Sequence, residues 1–128
     1  MDRKSLLSIL MFLIAMLLST LVYSNTVEVC ASCSIKTIRQ AVNYSTPFDT
    51  IQIQSGLYFE QELIIDKPIT IIGEKGVVID GQLKGNVILV NADSVTIKGL
   101  KIINVGASFT QDYAAIRLHK TNRCKIIN

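Results

Sequence analysis

The sequence predicts an all-β protein, a right-handed parallel β-helix with a short capping α-helix at its N-terminal end. Three observations predict it. First, short β-branched strands recur from residue 69 onward: ITIIG at 69, VVIDG at 77, VILVN at 87, VTIKG at 95, LKIIN at 100, AIRLH at 115 and CKIIN at 124. They form three series with a period of roughly 25 residues and no helix between them, which is the pattern of a solenoid. ITIIG returns as VTIKG and CKIIN, VVIDG as LKIIN, and VILVN as AIRLH. Second, Val95 and Ile97 alternate with Thr96 and Lys98, so each strand has one apolar and one polar face. Third, the blocks end on Gly73, Gly81 and Gly99 or on Asn91, Asn104 and Asn128. Gly and Asn tolerate the left-handed backbone that a corner needs.

The elements follow in order. Residues 1–24 read as a signal peptide. Arg3 and Lys4 make a positive start, and 6–22 is apolar apart from Ser8, Ser19 and Thr20. Val22 and Ser24 suit the −3 and −1 positions of a signal-peptidase site, which places the cut before Asn25. The rival reading is an uncleaved anchor, since roughly 17 apolar residues nearly span a bilayer. Val27, Glu28 and Val29 before Cys30 are not a lipobox.

Residues 25–48 hold a CxxC pair and the capping helix. Ile35, Ile38, Ala41 and Val42 give one apolar face, so a helix is expected over 34–43 with Ser34 as N-cap. Pro47 ends it. A solenoid exposes the sheet edges of its first coil, and a helix laid there covers them.

Residues 49–128 are expected to be the first coils. DTIQIQSG opens them, with Ile51 and Ile53 inward, Gln52 and Gln54 outward, and Gly56 breaking the strand. LIID at 63 follows, and Lys67 and Pro68 turn the chain into the repeats. The stretch 105–113, VGASFTQDY, is too long for a corner and is expected to bulge out as a loop. About two and a half coils are counted this way, below the three or more a solenoid normally needs, so the chain reads as the N-terminal piece of a longer protein.

Composition narrows the partners. The formal net charge is +3 over 128 residues, with no basic stripe, which argues against nucleic acid. All three Met residues lie in the apolar start, leaving Cys30, Cys33, Cys124 and His119 as the soft ligands of the remainder.

The order of motifs carries a resemblance. CASC at 30, SIKTIRQAV at 34, DTIQIQSGLYFE at 49, DKPITIIGEKGVVIDG at 66, DSVTIKGLKIIN at 93 and AAIRL at 114 together resemble the N-terminal part of NosD-type proteins. These are accessory proteins for maturation of nitrous oxide reductase, within the wider group of CASH β-helices. The resemblance implies an exported, periplasmic protein that works with an ABC transporter and delivers copper or sulfur to the reductase. It implies assembly rather than turnover, and contact with the membrane only through the signal peptide or the transporter.

Cys30 and Cys33 carry the sharpest local chemistry. Two thiolates at this spacing suit Cu(I). They equally suit redox exchange, although the motif lies outside a βαβ unit. The third reading, favoured by an oxidising compartment, is a structural disulfide that pins the chain before the helix. Cys33 falls just before the expected N-cap, where a helix dipole lowers a thiol pKa. Cys124 aligns with Val95 and Ile69, which turns it inward as a core residue. His119 aligns outward with Asn91, a lone candidate ligand.

The alternative function is a secreted polysaccharide lyase, hydrolase or epimerase. Such enzymes need grouped carboxylates or Ca²⁺ with a basic residue. Asp66, Asp80, Asp93 and Asp112 are spread over turns and strand ends, so the sequence contains no catalytic constellation and the chain does not read as an enzyme. Asp80-Gly81 and Asp93-Ser94 read as turn chemistry.

Overall fold

A computed structural model describes residues 1–17 and 23–128. Its body is a parallel β-helix of about four turns. Helix α1 (Arg3–Leu17) precedes it and buries none of its residues. Among the described residues no helix is long and apolar enough to cross a membrane.

Three sheets run along the axis. One contains β1 (Thr26–Val29), β2 (Thr50–Ile53), β5 (Thr70–Gly73), β8 (Thr96–Lys98) and β11 (Lys125–Ile127), in that order. A second stacks β3 (Gly56–Phe59), β6 (Val77–Asp80) and β9 (Lys101–Ile103). The third stacks β4 (Leu63–Ile65), β7 (Ile88–Val90) and β10 (Ile116–Leu118). Every pairing is parallel, and the registers match the recurrences seen in sequence. Ile71 pairs with Ile97 and Ile97 with Ile126. Ile79 pairs with Ile102, and Ile88 with Ile116.

The first sheet shows why these residues form these strands. Val27, Ile51, Ile71 and Ile97 stack as an inward ladder, and all four are buried. β-Branched side chains suit this packing because they are stiff and fill the pleat. Outward from the same strands, Thr26, Thr50, Thr70 and Thr96 stand in line. The second and third sheets add inward Tyr58 and Ile79, and Leu63, Ile65, Ile88 and Val90.

The corners use left-handed backbone, with Gln82, Leu83, Ser94 and Asn104 all at positive φ. Gly99 does so at φ 70°, where a Cβ would also meet the Gly73 carbonyl oxygen at 2.6 Å. Two backbones therefore touch at that corner, and only glycine fits there.

The N-terminal part differs from expectation in three ways. The helix is α2 (Ile38–Tyr44), and its N-cap is Thr37 rather than Ser34. Thr37 and Gln40 form a capping box, and that signal outweighs the apolar spacing that drew Ile35 into the helix. Ile35 instead bridges to Val29 in extended form. Residues 25–48 also contribute a strand, because TVEV pairs with TIQI and opens the stack. Gly56 does not break a strand; it begins β3. With β1 to β4 included, the solenoid holds about four turns instead of two and a half.

The stretch 105–113 has no regular structure, as expected of an insertion. It is anchored rather than free. Gly106 donates its N–H to the Gly85 carbonyl at 3.0 Å, and the Tyr113 ring lies over Gly85. Phe109 stands fully exposed on it.

Candidate functional site

The chemically distinctive end of the molecule is the cap formed by β1, the CxxC loop and α2. Cys30 follows β1 directly, and Cys30 and Cys33 are joined by a disulfide with Cα atoms 5.0 Å apart. Backbone hydrogen bonds tighten the loop. The Cys33 N–H donates to the Cys30 carbonyl at 3.2 Å, and the Cys30 N–H to the Ile35 carbonyl at 3.3 Å. Cys30 is buried, whereas Cys33 is half-buried and faces an open groove of about 1100 Å³. Val27, Ile35, Tyr44 and Asp49 also line that groove. Since the N-cap is Thr37, Cys33 stands a full turn away from the helix start.

Helix α2 packs on β1 and β2 through Ile38, Ala41 and Val42. Charged side chains from the first full coil hold both of its ends. At the N-terminus, the buried Glu60 carboxylate accepts the Arg39 N–H at 2.9 Å and lies 3.5 Å from the Arg39 guanidinium. Burial pushes the Glu60 pKa up, and the bonds from Arg39 and the Ile38 backbone offset part of that rise. At the C-terminus, Lys67 Nζ donates to the Val42 and Ser45 carbonyls at 2.9 and 3.0 Å. An acid at the start and a cation at the end both complement the helix dipole and satisfy groups the helix leaves open.

Asp49 closes the same end. Its Oδ2 accepts the Thr46 N–H at 2.8 Å and the Thr46 hydroxyl at 3.0 Å, and its Oδ1 accepts the Asn25 N–H at 2.9 Å. The bonds from the Thr46 and Asn25 backbones hold its carboxyl below the usual carboxylate range despite burial. Tyr58 donates its hydroxyl to the Gln54 carbonyl at 2.8 Å, and burial raises its pKa.

Of the sequence-derived candidates, only Cys30 and Cys33 come together. His119 is exposed just after β10. It lies three strand spacings along the axis from the disulfide, about 14 Å. Cys124 is partly buried against the core, its thiol 3.4 Å from the Ala92 carbonyl. The disulfide consumes both thiolates, and among the described residues no group of three His, Cys, Asp or Glu converges.

Two of the four carboxylates weighed for sugar chemistry, Asp80 and Asp93, are engaged in corners. Asp80 accepts the Gln82 N–H at 2.7 Å and the Asn104 side-chain amide at 3.0 Å, and Asp93 accepts the Asn122 N–H at 2.7 Å. Ser24 donates its hydroxyl to the Phe48 carbonyl at 2.8 Å, while Val22 lies outside the described residues.

Sequence reasoning missed Asp49, Glu60 and Lys67, and it missed the outward apolar side chains of β3. There Leu57 and Phe59 are more than half exposed; Leu57 pairs with half-buried Val78, and Phe59 with Asp80. The signal was present: LYFE alternates, but with large apolar side chains on both faces. Compared with known proteins, the chain matches no family model, no curated protein and no solved structure.

Proposed function

We propose that this chain is an exported accessory scaffold of the NosD kind, which docks between an ABC transporter and nitrous oxide reductase during assembly of the reductase metal centres. The observation that carries the proposal is how the outer surface is used. Leu57 and Phe59 expose apolar area on the outer face of the second sheet, which suits contact with another protein. Asp80 and Asp93 are committed to holding corners, which leaves them poorly placed for acid–base work on a sugar. The order of motifs along the coils supports the same assignment. In this reading the Cys30–Cys33 disulfide stabilises the cap, and copper or sulfur passes through the partners.

Deletion of the gene in its host tests the proposal. Nitrous oxide reductase should accumulate with depleted copper and lost activity, and both should return on complementation. Substitution of Leu57 and Phe59 by Ser should fail to complement while the protein still accumulates. A reductase with full metal content in the deletion strain would sink the proposal.

A further inference from the structure

Under the export proposed above, removal of the leader changes the hydrogen bond between Asn25 and Asp49. Asp49 is buried, and its Oδ2 is already fixed by the backbone and hydroxyl of Thr46. Its Oδ1 points at the backbone nitrogen of Asn25, 2.9 Å away. Asn25 is itself fixed from the other side, because its carbonyl accepts the Thr50 N–H at 2.9 Å. That bond extends the β1–β2 ladder by one residue, so Asn25 does not depend on the preceding chain for its position. Upstream, Ser24 reaches the Phe48 carbonyl, and α1 buries none of its residues.

We infer that Asp49 is a built receptor for the chain terminus created by cleavage between Ser24 and Asn25. The cleavage adds one water across that peptide bond. The carboxylate stays on Ser24 and leaves with the leader, and the amine stays on Asn25, where it takes a proton at neutral pH. A neutral N–H donor thereby becomes an ammonium, at the same place and against the same oxygen. A charge-assisted hydrogen bond is about twice as strong as a neutral one. The carboxylate is ready for it, since the bonds from Thr46 keep it ionised. Lys67 is the other cation near Asp49, but its ammonium is held by the Val42 and Ser45 carbonyls. Processing therefore locks the first strand of the solenoid, and the exported form is more stable than the precursor.

The test compares the exported full-length gene product with a variant carrying Gly-Ser inserted after Ser24, each with and without Asp49→Asn. Intact mass locates the terminus, and calorimetry gives the melting temperature. The wild type should begin at Asn25. The insertion moves the ammonium two residues away and should lower the melting temperature by roughly 5 °C for a domain of this size. It should have no effect in the Asp49→Asn background. Reactivity of the terminal amine toward an acylating reagent gives a second measure that needs no Asp49 variant. The wild-type amine should react several-fold more slowly than that of the insertion variant. A chain that is not exported would overturn the export reading and this inference together, whereas an exported chain with a retained leader or a cut at another bond would overturn the inference alone. A cut before Asn25 with equal melting temperatures and equal amine reactivity would overturn the inference alone.

Discussion

Glu60 and Asp49 are both buried carboxylates at the cap, yet their environments push them in opposite directions. Glu60 has its pKa raised by burial, so its protonated form fits the folded state better. Its contribution to stability is complete below the ordinary glutamate range and is lost as pH rises through the raised folded value. Asp49 has its pKa lowered by the Thr46 and Asn25 backbone bonds. Its contribution is present above the ordinary aspartate range and is lost as pH falls through the lowered value. Melting temperatures measured from pH 3 to 8 should show both effects. Glu60→Gln should shrink the loss of stability between mildly acidic and neutral pH, and Asp49→Asn should flatten the acid limb. An unchanged profile in both variants would mean that neither group is coupled to folding. A second residue-scale prediction concerns Gly99, at φ 70° and against the Gly73 carbonyl. Gly99→Ala should cost about 2 kcal/mol from the left-handed backbone alone, and more from the contact, as read by urea unfolding.

At the scale of elements, the cap is a short helix made viable by what surrounds it. Seven residues are too few for a helix to persist in water unaided. The Thr37–Gln40 box, Glu60, Lys67 and the apolar face supply what the isolated segment lacks. The disulfide fixes the chain entering it. Closing so short a loop restrains the unfolded chain modestly, so Cys30→Ala with Cys33→Ala should lower stability by about 2 kcal/mol in urea. Alkylation of the denatured protein without reductant should add one adduct, at Cys124; three would show that the pair is not oxidised. These contacts also mark the limit of what was legible in sequence. The strands of the later coils could be read because Ile71, Ile97 and Ile126 repeat at fixed places within their blocks. The helix existed in the pattern, but its start did not, because Ile35 keeps helical spacing while lying in a bridge. β1 was invisible because four residues, TVEV, show only two turns of alternation. Glu60 and Lys67 meet α2 from more than 20 residues away, and no local spacing encodes such a meeting.

For the whole molecule, a stack of coils concentrates stability where each coil has a neighbour on both sides. Each coil contacts only the next, so stability is close to a sum of coil and interface terms. Inward and outward positions show how much that enclosure is worth. Ile71 and Ile97, inward on the first sheet, are 0% and 1% exposed, and Ile64, outward on β4, is 48% exposed. Removing a fully enclosed side chain costs its transfer energy and leaves a cavity between two coils, about 2–5 kcal/mol. Removing one that is half in water leaves no closed cavity and costs about 1 kcal/mol or less. Ile71→Ala and Ile97→Ala should therefore be several times more damaging than Ile64→Ala in chemical denaturation. Amide exchange should follow the same logic, slow in β2 and β5, which pair on both sides, and fast over 105–113, which has no regular structure. Equal losses from all three substitutions would show that enclosure between coils does not set the stability of the stack. The expected contrast fits a scaffold whose coils are held from within, while Leu57 and Phe59 are displayed outward and Asp49 holds the entry to the first strand.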